Sequence, residues 1–221
     1  MSLLQNFCEA LPLADIRPKR ILLQTGAKNY GYPSHSSSLR ICTLSNPLPS
    51  VHLGPAATPQ EEHHARITLE PNFYYPQEDF LTRFSAQHGI PWTIAMPSYI
   101  LGAVPDAAMN LVYPLGLYAS VTAHLRERLA FPGDLRAWEA TLVLSSARLN
   151  AYLEEWAALS DAAAGEKLNA ADGGPFTWGG FWPRFAAWYG VEGGRPSFEA
   201  RDYRSLTTRH DPPPRGYVWF A

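Results

Sequence analysis

Apolar positions recur in two distinct rhythms along this chain. Between residues 2 and 11, Leu3, Leu4, Phe7 and Leu11 fall at helical spacing, with Ser2 as N-cap and Pro12 as the stop. Arg20-Ile21-Leu22-Leu23-Gln24-Thr25-Gly26 is instead a short continuous apolar run closed by glycine, the pattern of a buried parallel strand. Residues 72–88 return to helical spacing through Phe73, Phe80, Leu81 and Phe84, and His88-Gly89 closes that helix. Residues 91–97 read as a second buried strand and 167–170 as a third. Further helices are predicted over 108–128, interrupted near Pro114, over 146–159 with Leu149, Leu153 and Trp156 on one face, and over 177–189. In the last of these, Trp178, Trp182 and Phe185 make an aromatic stripe that reads as core.

Two stretches break the rhythm. Residues 31–65 are rich in Ser, Pro, His and Gly and read as a long loop, and 192–221 as an irregular Pro-rich tail. The alternation of helix and strand predicts an α/β protein with a partial Rossmann-like parallel sheet and flanking helices over residues 1–191. Such sheets bind ligands beyond the carboxyl ends of their strands. That places Thr25-Gly26-Ala27-Lys28 and Pro97-Ser98-Tyr99-Ile100 on one functional edge.

Composition narrows the function. Of 221 residues, 46% are hydrophobic and 17% charged, which suits a globular core, and the formal charge of -2 offers no basic footprint for nucleic acid or an anionic membrane. No apolar run is long enough for a membrane span, and the first residues do not read as a signal peptide. Cys8 and Cys42 lie far apart without a CxxC, so neither a disulfide framework nor a zinc site is expected; a reducing, cytoplasmic location fits. His63-His64 reads as a solvated loop without metal, and Ser36-Ser37-Ser38 lacks a nucleophile elbow. Glu78 and Asp79 read as helix-surface or structural groups, since adjacent residues on a helix do not face each other.

The chemistry rests on Lys28 after the first strand and Tyr74 at the start of a helix. A tyrosine hydroxyl can protonate an oxygen on which charge builds during hydride transfer, and a nearby ammonium lowers the tyrosine pKa. Taken alone, Lys28 also reads as a solvated charge and Tyr74 as packing.

Ordered motifs favour the chemical reading. Thr25-Gly26-Ala27-Lys28-Asn29-Tyr30-Gly31 is similar to a TGxKHY segment, and Asn72-Phe73-Tyr74-Tyr75-Pro76-Gln77-Glu78-Asp79 matches NFYYxxED in full. Trp92 to Pro97 is similar to a WxxxRP strand, and Leu168 to Gly173 followed by Trp178, Trp182 and Phe185 to an FNxxNGDxFxWxxxW segment. These segments, across most of residues 3–191, resemble the progesterone 5β-reductase/iridoid synthase-like short-chain dehydrogenases/reductases. The resemblance implies an NADPH-dependent reductase of activated C=C bonds in enones and enals, or of a carbonyl, acting on a hydrophobic small molecule in specialised metabolism. It implies Tyr74 as catalytic tyrosine, Lys28 as its assisting lysine, and Thr25, Pro97, Ser98 and Ile100 bordering the nicotinamide. In ordinary members of the wider superfamily the lysine lies four residues after the tyrosine; here Glu78 stands there.

The sequence also departs from that pattern. No glycine-rich phosphate-binding turn precedes Thr25, so the expectation is a core lacking the N-terminal nucleotide-binding strands, with weak or absent NADPH binding. The edge of strand 20–26 is then expected to be covered, by a homodimer or a rearranged loop. Residues 32–50 intervene between segments that normally adjoin and are read as a translated, retained intron. Asn29 stands for the usual histidine, Met96 for the usual arginine, and the family's C-terminal lid region is not recognised after Pro214. Two other functions stay open on this reading: a non-catalytic remnant, and a cofactor-free isomerase or cyclase using the same pocket.

Overall fold

The computed structural model describes residues 2–30, 32–33, 55–56, 60–67, 72–104, 110–133 and 135–196. Six α-helices occur among them: α1 (Ser2–Leu13), α2 (Tyr74–His88), α3 (Val112–Leu125), α4 (Leu135–Glu139), α5 (Ala147–Leu159) and α6 (Trp178–Trp188). The main sheet has three parallel strands, β1 (Ile21–Gln24), β2 (Trp92–Pro97) and β3 (Glu166–Ala170), in the order β1-β2-β3. Ile21 to Gln24 pair with Trp92 to Ala95, and Thr93 to Pro97 pair with Glu166 to Ala170. The expected parallel α/β sheet and its three strands are therefore present. The retained-intron reading of 32–50 lies almost wholly outside the described residues, as does the 192–221 tail beyond residue 196; at the start of that tail Gly193–Gly194 is not irregular but pairs in parallel with Leu129–Ala130.

Position in the sheet explains each strand's composition. Central β2 is screened on both faces, and Thr93, Ile94, Ala95 and Met96 are fully buried. Its one polar side chain there, Thr93, donates its hydroxyl to the Ala163 carbonyl. β1 forms the sheet edge among the described residues, and its burial fades from Ile21 to an exposed Gln24. On one side, Cys8 and Leu11 of α1 and Leu81 and Phe84 of α2 close over Ile21, Ile94 and Met96. Burial there pushes the Cys8 thiol's pKa up, keeping it protonated. Against the other end of the sheet, the Arg20 guanidinium caps the last turn of α5 by donating to the Ala157 and Ser160 carbonyls.

Local signals set most ends. α2 stops where Gly89 takes a left-handed φ of 63°, its N–H returning to the Ser85 carbonyl. α5 starts on Ser146, whose hydroxyl accepts from the Leu149 N–H. Pro12 sits inside the last turn of α1, one residue short of its end, rather than stopping it. α3 begins at Val112, which puts Pro114 in the first turn, where a missing N–H leaves no bond unmade. Within the expected loop, Tyr32–Pro33 pairs in parallel with Pro55–Ala56, bringing both ends of the intervening stretch together.

The chain divides into two compact units. The first holds α1, α2, α5 and the sheet. The second holds α3, α4 and α6, and its core is aromatic: Trp182 and Phe185 are buried with Ala119, Leu129 and Phe131. Trp178 and Phe181 are partly buried in it, whereas Trp188 is 71% exposed. No helix among the described residues is long and apolar enough to cross a membrane.

Candidate active site

The site is built at the carboxyl edge of the sheet, wholly within the first unit. β1 ends at Gln24, and Thr25 continues it by donating its N–H to the Ala95 carbonyl at 2.8 Å. The chain then turns through a 3-10 helix, Ala27–Tyr30. β2 ends at Pro97, and the turn after it is fixed by Ser145, fully buried, whose hydroxyl accepts from the Ser98 N–H and donates to the Ala170 carbonyl. Ile100 follows in a short strand paired in parallel with Leu144–Ser146, half-buried opposite Ser145.

Tyr74 reaches this edge from the first turn of α2. A β-carbon at position 26 would lie 3.1 Å from the Tyr74 hydroxyl and 3.4 Å from the Pro97 carbonyl. Glycine at position 26 therefore leaves room for the phenol between the ends of β1 and β2. Of the expected site residues, Tyr74 and Pro97 thus meet around Gly26, next to Thr25, while Ser98 and Ile100 continue the same edge. Among the described residues no hydrogen bond occupies the Tyr74 hydroxyl, which leaves it available as a donor.

The electrostatics differ from the sequence expectation. Burial alone raises the Tyr74 pKa, with no contribution from Lys28. Lys28 is exposed and makes no ion pair among the described residues. The expected lowering of the phenol's pKa by an adjacent ammonium is absent here. The phenol is accordingly held in its protonated form, the form a proton donor needs. Tyr30, two residues beyond Lys28, is pushed up to about 12 by burial, with the Glu62 and Glu78 carboxylates adding to the rise and a hydrogen bond to Asn169 opposing it.

What holds the lysine turn against the tyrosine helix has no spacing pattern of its own in the sequence. Asn72 donates its amide to the Lys28 carbonyl at 3.1 Å and accepts the Tyr74 N–H at 3.0 Å. Tyr75 donates its hydroxyl to the Asn29 carbonyl at 2.7 Å and accepts the Ile67 N–H. Glu78 is fully buried, not on the helix surface, and accepts from Asn29 Nδ2 at 2.8 Å, Arg66 Nη2 at 2.8 Å and Lys167 Nζ at 2.6 Å. Arg66 also pairs with the more exposed Asp79 at 2.6 Å and stacks over the Tyr75 ring. Asn29 and Met96, read only as replacements, touch each other at 3.1 Å beneath the site. The one available signal was that Asn72, Tyr75 and Glu78 share a motif with Tyr74.

His63 and His64 differ from their reading in one respect. Their rings meet edge-on at 5.0 Å and Glu61 joins them, so three ligand atoms lie within 4.8 Å of one another. Glu61 and His63 are exposed, and His64 Nδ1 already accepts the Glu61 N–H.

Thr25, Tyr74, Pro97, Ser98 and Ile100 share the carboxyl edge, where parallel α/β sheets bind their ligands. A protonated phenol stands between two strand ends over a position without a β-carbon, beside the turn at Ser98, whose N–H is held by Ser145.

Comparison with known proteins agrees with this architecture. A model of the PRISE-like Rossmann-fold domain matches residues 10–210. The chain is 32% identical over 192 residues to an (S)-8-oxocitronellyl enol synthase of Camptotheca acuminata, covering 86% of this chain and 46% of that protein. It is 28% identical over 193 residues to a short chain dehydrogenase of Penicillium aethiopicum, again covering 86% of this chain and 46% of the relative. The chain thus spans about half the length of these relatives. Among solved structures, RMD from Pseudomonas aeruginosa complexed with NADPH superposes with a TM-score of 0.62 at 15% identity, covering 90% of this chain and 60% of that one.

Proposed function

The chain belongs to the PRISE-like Rossmann-fold family, and from that premise we propose that it carries the substrate-activating part of an NADPH-dependent reductase of activated C=C bonds. The substrate class is a hydrophobic enal or enone. Its setting is specialised metabolism in the cytoplasm. The observation that carries this reading is the protonated Tyr74 phenol standing over Gly26 at the carboxyl edge of the sheet.

Thr25, Pro97, Ser98 and Ile100 would border the nicotinamide, and Lys28 would face the phenol from the adjoining turn. When bound, the dinucleotide supplies a hydride. As the β-carbon of the enal accepts that hydride, its C=C electron pair shifts toward the carbonyl and negative charge collects on oxygen. Tyr74 donates its proton to that oxygen, leaving an enol and a phenolate. The Lys28 ammonium steadies the phenolate until solvent restores the proton. The sum is one hydride and one proton added across the conjugated system. A relative named for making an enol is in keeping with this product.

The test is consumption of NADPH by the purified protein with a small apolar enal, against the saturated aldehyde as control. Oxidation that requires the C=C bond is expected. Equal rates with both aldehydes, or calorimetry showing no NADPH binding, would remove the proposal for this chain.

A further inference from the structure

Four residues beyond Tyr74, one turn along the same helix, Glu78 is buried to the last atom yet meets three donors. A lone carboxylate in such a place is costly, because it leaves water without compensation. Here Lys167 from β3 and Arg66 from the preceding segment both pair with it, and Arg66 also engages Asp79. Two carboxylates and two cations sum to zero. The cluster therefore adds no net charge along this part of α2, in keeping with burial as the cause of the raised Tyr74 pKa. Its remaining acceptor capacity goes to Asn29 Nδ2, which orients that amide, since only the NH2 end can face a carboxylate.

Asn29 is in turn the middle of the turn that carries Lys28. Its carbonyl is gripped by Tyr75 and its N–H closes onto the Gly26 carbonyl at 2.9 Å, while Asn72 grips the carbonyl of Lys28. Lys28 itself has no ion pair among the described residues, so its reach is governed by where its backbone is held. We propose that Glu78 is a positioning residue: through the Asn29 amide it locks the Ala27–Tyr30 turn to α2, and so sets where the Lys28 ammonium stands relative to the Tyr74 phenol. This rests on the reading of Tyr74 and Lys28 as the reacting pair. The position that carries a lysine in the wider superfamily becomes, in this chain, the anchor for a lysine arriving from a neighbouring strand.

The experiment compares wild type with Glu78→Gln and Asn29→Ala, the second removing the amide while leaving every charge in place. Two readouts are taken on the full chain: amide hydrogen exchange, and steady-state kinetics with NADPH and an enal. Expected for both variants is exchange about tenfold faster at the backbone N–H of position 29, with β2 amides unchanged, and kcat down about tenfold at an unaltered substrate KM. Restoring neutrality in Glu78→Gln/Lys167→Met is expected to recover most of the protection. Unchanged exchange over 27–30, faster exchange spread equally into β2, or local loosening with wild-type kcat would each overturn the proposal. Absence of turnover in wild type would instead sink the reductase reading, and the exchange pattern would still decide the anchoring role of Glu78.

Discussion

Glu78 and Trp182 are both fully buried, yet the surroundings that make each burial tolerable have nothing in common. Around Trp182 the partners are rings: Phe131 edge-on at 5.1 Å, Trp178 at 6.1 Å and Phe185 at 5.2 Å. Its one polar atom is satisfied by donating to the Leu129 carbonyl at 2.9 Å. This is packing with a single polar requirement, and any set of rings of suitable volume and one acceptor would meet it. Around Glu78 the partners are an amide, an ammonium and a guanidinium, each needed in a fixed direction. A buried charge cluster of this kind stabilises little against an apolar replacement. What it provides is geometry, one helical turn from Tyr74 and bonded to Asn29, the residue after Lys28. The second unit is held together by area, the first unit's edge by direction.

That contrast can be attacked at several points. Trp182→Ala should have the largest effect, about 4 kcal/mol of stability lost in chemical denaturation. Trp188→Ala on the same helix, being 71% exposed, should stay within about 0.5 kcal/mol. Glu78→Leu should cost less than Trp182→Ala, about 3 kcal/mol, because the stranded Lys167 and Arg66 are partly exposed and can turn to water. A larger loss at Glu78 than at Trp182 would break the distinction between area and direction.

Alkaline pH probes the polar side of the comparison. Tyr30 has a folded pKa of about 12 against an unfolded value near 10, so the folded state holds the proton more tightly. Its contribution is fully present below pH 10 and is lost as pH rises from there through about 12. Stability should fall by roughly 2 kcal/mol over that window, and Tyr30→Phe should flatten the fall. A smaller loss than at Tyr30 is expected for Gly26→Ala, about 1 kcal/mol, since the phenol can swing off the new methyl. Turnover should drop sharply in that variant, because the swing takes the hydroxyl away from the strand ends.

Sequence periodicity served where one element answers to one face. The three sheet strands and the helices near 74–88, 147–159 and 178–188 follow from apolar spacing and their caps. It failed where structure depends on partners distant in the chain. Tyr32–Pro33 and Pro55–Ala56 are two-residue strands with no pattern of their own. Glu78 reads as either a helix-surface or a structural group because its spacing places it beside Asp79, and nothing local announces Lys167, 89 positions away. The placing of Gly26 and Pro97 on one edge followed from strand ends and the choice of Tyr74 from its motif, whereas the direction of the Tyr74 pKa shift followed from neither. That shift depends on how deeply the ring is covered and where an exposed lysine lies, neither of which spacing contains.

The most direct test is the rate of enal-dependent NADPH oxidation by Tyr74→Phe beside wild type, with both proteins shown to be equally folded by their denaturation midpoints. Loss of one hydroxyl with no bonded partner among the described residues should leave stability within about 0.5 kcal/mol while lowering turnover by about a hundredfold or more. A Tyr74→Phe protein that oxidises NADPH at the wild-type rate would contradict the account, since the proton would then be coming from elsewhere.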